Sequence, residues 1–243
     1  FQGSNVKTVE LGSKLKKLGG SVFLFCEKIS SLTLPASLSE FDRYSFENTI
    51  SYTVDKNSST LLSENGNLFN KDKTILYTYY NGDNKTSYKI PDTVVNIEDY
   101  AFSNTTKLKS VTLPSKLERI GECAFDSSAV ASITIPENVK LIEDSAFSGA
   151  KLKKLVFKEG CIAEIGCWAF YDCENLIDIT IPTSVTKVRD GAFDNIGYVN
   201  KLEEDGFEGS VYIGNILYSY LGDDTPKSFS IKEGTTTICE DSI

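Results

Sequence analysis

The stretch Leu108-Lys109-Ser110-Val111-Thr112-Leu113-Pro114-Ser115-Lys116-Leu117-Glu118-Arg119-Ile120-Gly121-Glu122-Cys123-Ala124-Phe125 decides the fold, because its pattern returns in register along the chain. Pro91, Pro114, Pro136 and Pro182 each precede a Phe by eleven residues, at Phe102, Phe125, Phe147 and Phe193, and an Ala stands before each Phe. A unit of 22–24 residues is too small to bury its own apolar face, so copies at this fixed period must stack into a solenoid.

Weaker copies extend the register. Gly12 and Phe23 open it, Pro35 and Phe46 follow, Lys158 and Phe170 carry one inserted residue, and Lys232 and Ile243 close it. Five of the six prolines occupy the anchor position, where a fixed φ and a missing N–H stop a strand and turn the chain.

Before the anchor, Val111 and Leu113, Ile133 and Ile135, Leu155 and Phe157, and Ile179 and Ile181 alternate with more polar neighbours, the mark of a half-buried strand. After it, Val94 and Ile97, Leu117 and Ile120, Val139 and Ile142, and Val185 and Val188 return three apart, which predicts a second short extended segment across the coil. The recurring Phe predicts an aromatic spine through the stack, each ring burying ~150–250 Å².

This order, Leu-x-x-Ile/Val-x-Ile/Leu-Pro, then Val-x-x-Ile, then Ala-Phe, resembles the BspA-type leucine-rich repeat of surface and secreted proteins from bacteria and some parasitic protists. The resemblance runs from about Val6 to Ile243. It implies a right-handed, β-rich leucine-rich-repeat solenoid, secreted or at the cell surface, that adheres to host or neighbouring-cell proteins. A Cys three residues after the Phe, common in the family, occurs at Cys26 and Cys173 and is replaced in other copies.

Residues 47–86 and 194–227 break the period and match each other. Ile75-Leu76-Tyr77-Thr78-Tyr79 parallels Ile216-Leu217-Tyr218-Ser219-Tyr220, and sixteen residues separate Ile75 from Pro91 just as sixteen separate Ile216 from Lys232. Each stretch predicts a hairpin, turning at Asn70-Lys71-Asp72-Lys73 and at Gly214-Asn215. Residues 5–243 then form a single solenoid with two hairpin-bearing irregular repeats. Phe1-Gln2-Gly3-Ser4 resembles the remnant of a protease-site tag, and the absence of Met suits an internal fragment. The chain stops in mid-repeat without a polar cap, so further repeats or another domain are expected to follow.

A net charge of −9 and a pI near 4.7 argue against nucleic acid and anionic membrane surfaces as partners, since both need a basic footprint. No apolar run reaches the length of a transmembrane helix. The absence of His removes the usual general base, the Ser-His-Asp and Cys-His pairs and most zinc sites, so no catalytic residue, metal or cofactor is expected. Glu203 and Glu204 could in principle form a carboxylate pair for glycoside hydrolysis, but a solvated acidic loop accounts for them better. The cysteines of neighbouring coils fall at different repeat positions, which favours reduced, buried thiols over a Cys161–Cys167 or Cys167–Cys173 bridge.

Recognition remains. Thr33, Lys89, Thr112, Thr134, Val156, Thr180 and Ser230 are the outward residues of the strand before each anchor, and stacked they predict a hydroxyl-rich partner-binding face. Thr also simply suits an exposed strand and pairs with its neighbours. Tyr77, Tyr79, Tyr218 and Tyr220 form a second candidate, an aromatic site on the hairpins that would serve a glycan if exposed. The expected function is noncovalent recognition of, or adhesion to, an extracellular or host surface protein. A spacer for another domain and a glycan-binding module are the alternatives.

Overall fold

The computed structural model describes residues 1–23, 25–42, 44–222 and 228–239, so the closing anchor at Ile243 lies outside the described residues. It is a β-solenoid of about ten turns with coils of roughly 22 residues.

Each regular coil has three sides. The alternating segment before the anchor gives the front sheet, whose five parallel strands are Ser87–Lys89, Ser110–Thr112, Ser132–Ile135, Lys154–Phe157 and Asp178–Thr180. The segment after the anchor gives the short parallel strands Asn96–Ile97, Arg119–Ile120, Leu141–Ile142, Glu164–Ile165 and Lys187–Val188 of the back sheet. Leu117, Ile120, Val139, Ile142, Ile133 and Ile135 point inward and are buried, as the period-two and period-three spacings predict.

The third side is the turn that carries Ala-Phe. Phe102, Phe125, Phe147, Phe170 and Phe193 stack with centroids 4.7, 4.9, 5.1 and 5.2 Å apart and ring planes within 5° of parallel. Their backbones are laddered as well: the N–H of Phe102, Phe125, Phe147 and Phe170 donates to Ala124, Ala146, Ala169 and Ala192 of the next coil at 2.7–2.8 Å. Ala at that site keeps the coils close enough for both contacts.

The spine is shorter than the sequence pattern predicts. Among the described rings Phe23 meets Phe1, at 6.0 Å, while Phe46 packs on Phe41, Tyr52 and Tyr77 at 5.1, 5.5 and 5.9 Å. Tyr79, 5.0 Å from Phe102, takes the place in the stack that Phe46 was expected to hold. The cause is the first irregular stretch. Leu61–Glu64, Asn67–Asn70 and Ile75–Thr78 form an antiparallel meander that joins the edge of the back sheet. It turns at Asn65-Gly66 as well as at the predicted Asn70-Lys71-Asp72-Lys73 turn. Leu68 belongs to an N-terminal core with Leu32, Leu34 and Tyr52, and Phe69 to the main core. Adjacent strand residues face opposite ways, so this one strand divides the interior.

The second irregular stretch contains the predicted hairpin, Gly209–Ile213 with Ile216–Leu221, turning at Gly214-Asn215. It also contains a helix that the repeat pattern did not reveal, Gly197–Glu204. Glu203 and Glu204 therefore lie exposed on a helix rather than in a loop. Gly197 is required there, since a Cβ would fall 2.4 Å from the Glu174 carbonyl oxygen of the preceding coil. The two copies remain equivalent where they rejoin the stack: Ile75 and Leu76 pair with Asn96 and Ile97, and Ile216 and Leu217 with Thr237 and Ile238.

Among the described residues all six cysteines are free. Cys26, Cys161, Cys173 and Cys239 are buried, whereas Cys123 and Cys167 are half-buried, contrary to uniform burial. Cys161 and Cys173 donate weakly through Sγ to the carbonyls of Val139 and Phe147. Desolvation pushes the Cys173 thiol up to about 12.

Candidate recognition surface

The front sheet carries two exposed rows. Ser87, Ser110, Ser132, Lys154 and Asp178 stand in register in one, and Lys89, Thr112, Thr134, Val156 and Thr180 in the other. All are exposed except Val156, which is half-buried. Lys154 and Asp178 pair at 2.6 Å, and Lys89 reaches Asp92 at 3.0 Å. The remainder is a flat hydroxyl surface of little net charge.

Two residues of the predicted face are not on this sheet. Thr33 is exposed but belongs to a separate two-stranded sheet, Ser31–Leu34 with Ser51–Val54, where it pairs with Thr53. The meander intervenes between that sheet and Ser87–Lys89, so the row is interrupted. Ser230 is exposed and lies in no strand.

The predicted aromatic site does not come together. Tyr79 and Tyr218 are buried, and Tyr77 and Tyr220 are half-buried. Tyr79 stacks on Phe102, Tyr77 meets Phe41 edge-on at 5.1 Å, and Tyr220 lies 5.9 Å from Phe229. Tyr218 sits edge-on to Phe193 at 5.8 Å, accepts the Phe193 N–H at 3.0 Å and donates its hydroxyl to Asp194. Burial and this hydrogen bond to Asp194 push the Tyr218 phenol well above its ordinary value. The rings stabilise their own coils, which is what hairpin aromatics without an exposed face do.

The turn side, by contrast, exposes aromatics that the repeat pattern did not single out. Two positions before the Phe the chain enters the left-handed region in successive coils, at Ser21, Tyr44, Tyr100, Cys123, Ser145, Trp168 and Gly191, with φ between 51° and 62°. Bulky residues rarely adopt this conformation. Here it aims the side chain away from the core. Tyr44 and Tyr100 meet edge-on at 5.1 Å, and both are partly exposed. With Phe25, 68% exposed, and Phe46 they line a cleft of about 530 Å³. Glu27, Glu47 and Asp126 are among its other lining residues. Burial raises Glu47 above the usual carboxylate range, and raises Asp126 despite hydrogen bonds from Ser127 and Ser103. The signal was present in the sequence, since Tyr44 and Tyr100 occupy one repeat position and Glu47 and Asp126 another. It was not legible there because nothing in one coil shows which coil becomes its neighbour.

Nowhere among the described residues do three or more His, Cys, Asp or Glu side chains cluster as a metal site, and no helix is long and apolar enough to cross a membrane.

Stacked parallel coils with this strand, turn and Ala-Phe order define a leucine-rich-repeat solenoid. The sequence profile of the BspA type leucine-rich repeat region, in six copies, matches residues 1–76 and 73–200, and the chain belongs to that family. No curated protein matches it. Among solved structures it is similar to the pneumococcal vaccine antigen PcpA, at 21% identity and a TM-score of 0.57 over 80% of this chain and 57% of that one. It is also similar to a leucine-rich repeat protein from Eubacterium ventriosum, at 20% identity and a TM-score of 0.58 over 90% of this chain and 66% of that one. The chain thus spans less than two thirds of either protein, and the likeness is one of fold.

Proposed function

We propose that this chain is a noncovalent recognition module at the cell surface or outside the cell, and that its front sheet is the partner-binding side. The observation that carries the reading is the pair of exposed, in-register rows from Ser87 to Thr180, a broad hydroxyl surface held flat by five parallel strands. Such a surface offers a row of donors and acceptors at the ~4.8 Å strand spacing, suited to a protein partner. Family membership and a structural neighbour that is a vaccine antigen support placement at the surface. An extracellular or host protein is the partner class, and the burial of Tyr79 and Tyr218 weighs against a glycan site at the hairpins.

The test is an array of extracellular-matrix and cell-surface proteins probed with the parent chain and with Thr112, Thr134 and Thr180 changed together to Tyr. A saturable signal lost in the variant, at unchanged melting temperature, establishes the face. Equal binding by both sinks the assignment. A second reading, a rigid spacer without a ligand of its own, draws on the unbroken stack from Tyr79 to Phe193, and silence across the array would favour it.

A further inference from the structure

The chain has one tryptophan, and it stands on the surface. Trp168 is 52% exposed, although Trp is on average a well-buried residue, and Tyr171, three residues on, is 38% exposed. Both project from the turn side. Three successive coils place Ser145 and Ser148, Trp168 and Tyr171, and Gly191 and Asp194 at equivalent positions, and in each coil the N–H of the second residue donates to the carbonyl of the first, at 3.0, 3.0 and 3.1 Å. The two rings are thus flanked by hydroxyls on one side and by a carboxylate on the other.

The indole is also seated. A Cβ on Gly191 would fall 2.5 Å from Trp168 Cδ1, 2.6 Å from Nε1 and 3.2 Å from Asp194 Oδ2, so the pyrrole edge fills the space that a side chain of the next coil would take. Glycine at this one coil sets the ring in place. Among the described residues neither the Trp168 Nε1–H nor the Tyr171 hydroxyl has a hydrogen-bond partner. Asp194 already accepts the Tyr218 hydroxyl through Oδ1, which leaves Oδ2 to share with a ligand by a hydrogen bond.

An electron-rich ring bordered by hydroxyls and a carboxylate oxygen complements a molecule with one face of C–H bonds and a rim of O–H groups. We infer that Trp168 is the stacking platform of a glycan site, with a β-linked hexose laid on the indole and its hydroxyls bonded to Asp194 Oδ2, Trp168 Nε1–H and the flanking serines. The site lies on the turn side, apart from the front sheet, and takes a different ligand from the protein partner proposed there.

The single indole reports on its own site. Tryptophan fluorescence is titrated with lactose and N,N′-diacetylchitobiose, against sorbitol, which carries hydroxyls without a ring, and tetramethylammonium, a cation without hydroxyls. A saturable emission change with at least one of the two sugars and none with sorbitol is expected. Calorimetry follows the variants. Trp168→Ser installs the residue that Ser145 supplies one coil earlier at φ 55°, and it should abolish sugar binding while keeping the melting temperature of the parent. Tyr171→Ala should weaken binding by roughly threefold to tenfold. Gly191→Ser places a Cβ against the indole, so it should shift the emission and weaken binding by a similar factor. The Thr112, Thr134 and Thr180 triple variant should bind the sugars normally, so failure of one surface does not mask the other. No saturable response to either sugar, an equal response to sorbitol, a stronger response to tetramethylammonium, or full sugar affinity in Trp168→Ser or in Gly191→Ser would each overturn the inference.

Discussion

The hydroxyl of Tyr218 stands where the Ala carbonyl of a following coil would stand: it accepts the Phe193 N–H at 3.0 Å, closing the ladder that links each earlier Phe to the next coil. A side chain thus finishes a backbone ladder. Tyr218→Phe removes that acceptor and leaves the Phe193 N–H buried without its partner, at a cost of about 1–3 kcal/mol. Urea denaturation of the variant should show this loss with an unchanged slope. Full stability in Tyr218→Phe would mean that the ladder needs no cap.

Phe147 lies at the middle of the stack and is fully buried. Phe147→Ala removes contacts to both neighbouring rings and leaves a cavity, so a loss of about 3–5 kcal/mol is expected. Phe25→Ala, at a ring 68% exposed, should stay within about 0.5 kcal/mol of the parent. Comparable melting temperatures for the two variants would mean that the stack of rings contributes little to stability.

Gly121 and Gly166 sit beneath carboxylates of the preceding coil, where an added Cβ would fall 2.5 Å from Asp99 Oδ1 and 2.6 Å from Asp144 Oδ1. Those same oxygens accept the N–H of Glu122 at 3.0 Å and of Cys167 at 2.8 Å. Gly121→Ala should therefore cost roughly 1–3 kcal/mol, the scale of overpacking. Gly12→Ala, whose Cβ meets open space, serves as the control and should be nearly neutral.

Glu47 supplies a pH prediction with a definite sign. Burial raises its folded pKa, so its contribution to stability is complete below the ordinary carboxylate range and is lost as pH rises through the folded value. Glu47→Gln should accordingly melt higher than the parent near neutral pH and lose that advantage near pH ~4, where the parent carboxyl is protonated. A stability difference independent of pH would remove Glu47 from the desolvated groups.

Thiol accessibility offers a further check. Native chain treated with a disulfide reagent near neutral pH should label Cys167 and Cys123 first and leave Cys173 unreacted until unfolding, since burial suppresses the Cys173 thiolate. Early labelling of Cys173 would mean that the coil opens.

The amino-acid sequence by itself determined the solenoid, the coil length, the inward residues of both sheets and the central stack of Phe rings. It could do so because each is a local pattern repeated in register, and repetition turns a local rule into an architecture. It also determined the two hairpins, through turn residues and a matched spacing of sixteen. What it left undecided depended on which coils become neighbours. Tyr79 and Tyr220 occupy equivalent places in the duplicated segment, yet Tyr79 enters the aromatic stack, and at the other end Tyr218 rather than Tyr220 closes it. Leu68 and Phe69 are adjacent in the chain but belong to different cores. The helix Gly197–Glu204 has no counterpart in the repeat, and the cleft at Tyr44 and Tyr100 forms because the irregular stretch loops out and lets two distant turns approach, with Asn48 donating through Nδ2 to the Ser103 carbonyl across the junction. Periodicity specifies the coil; only the contacts between unlike coils, made where the period fails, specify these surfaces.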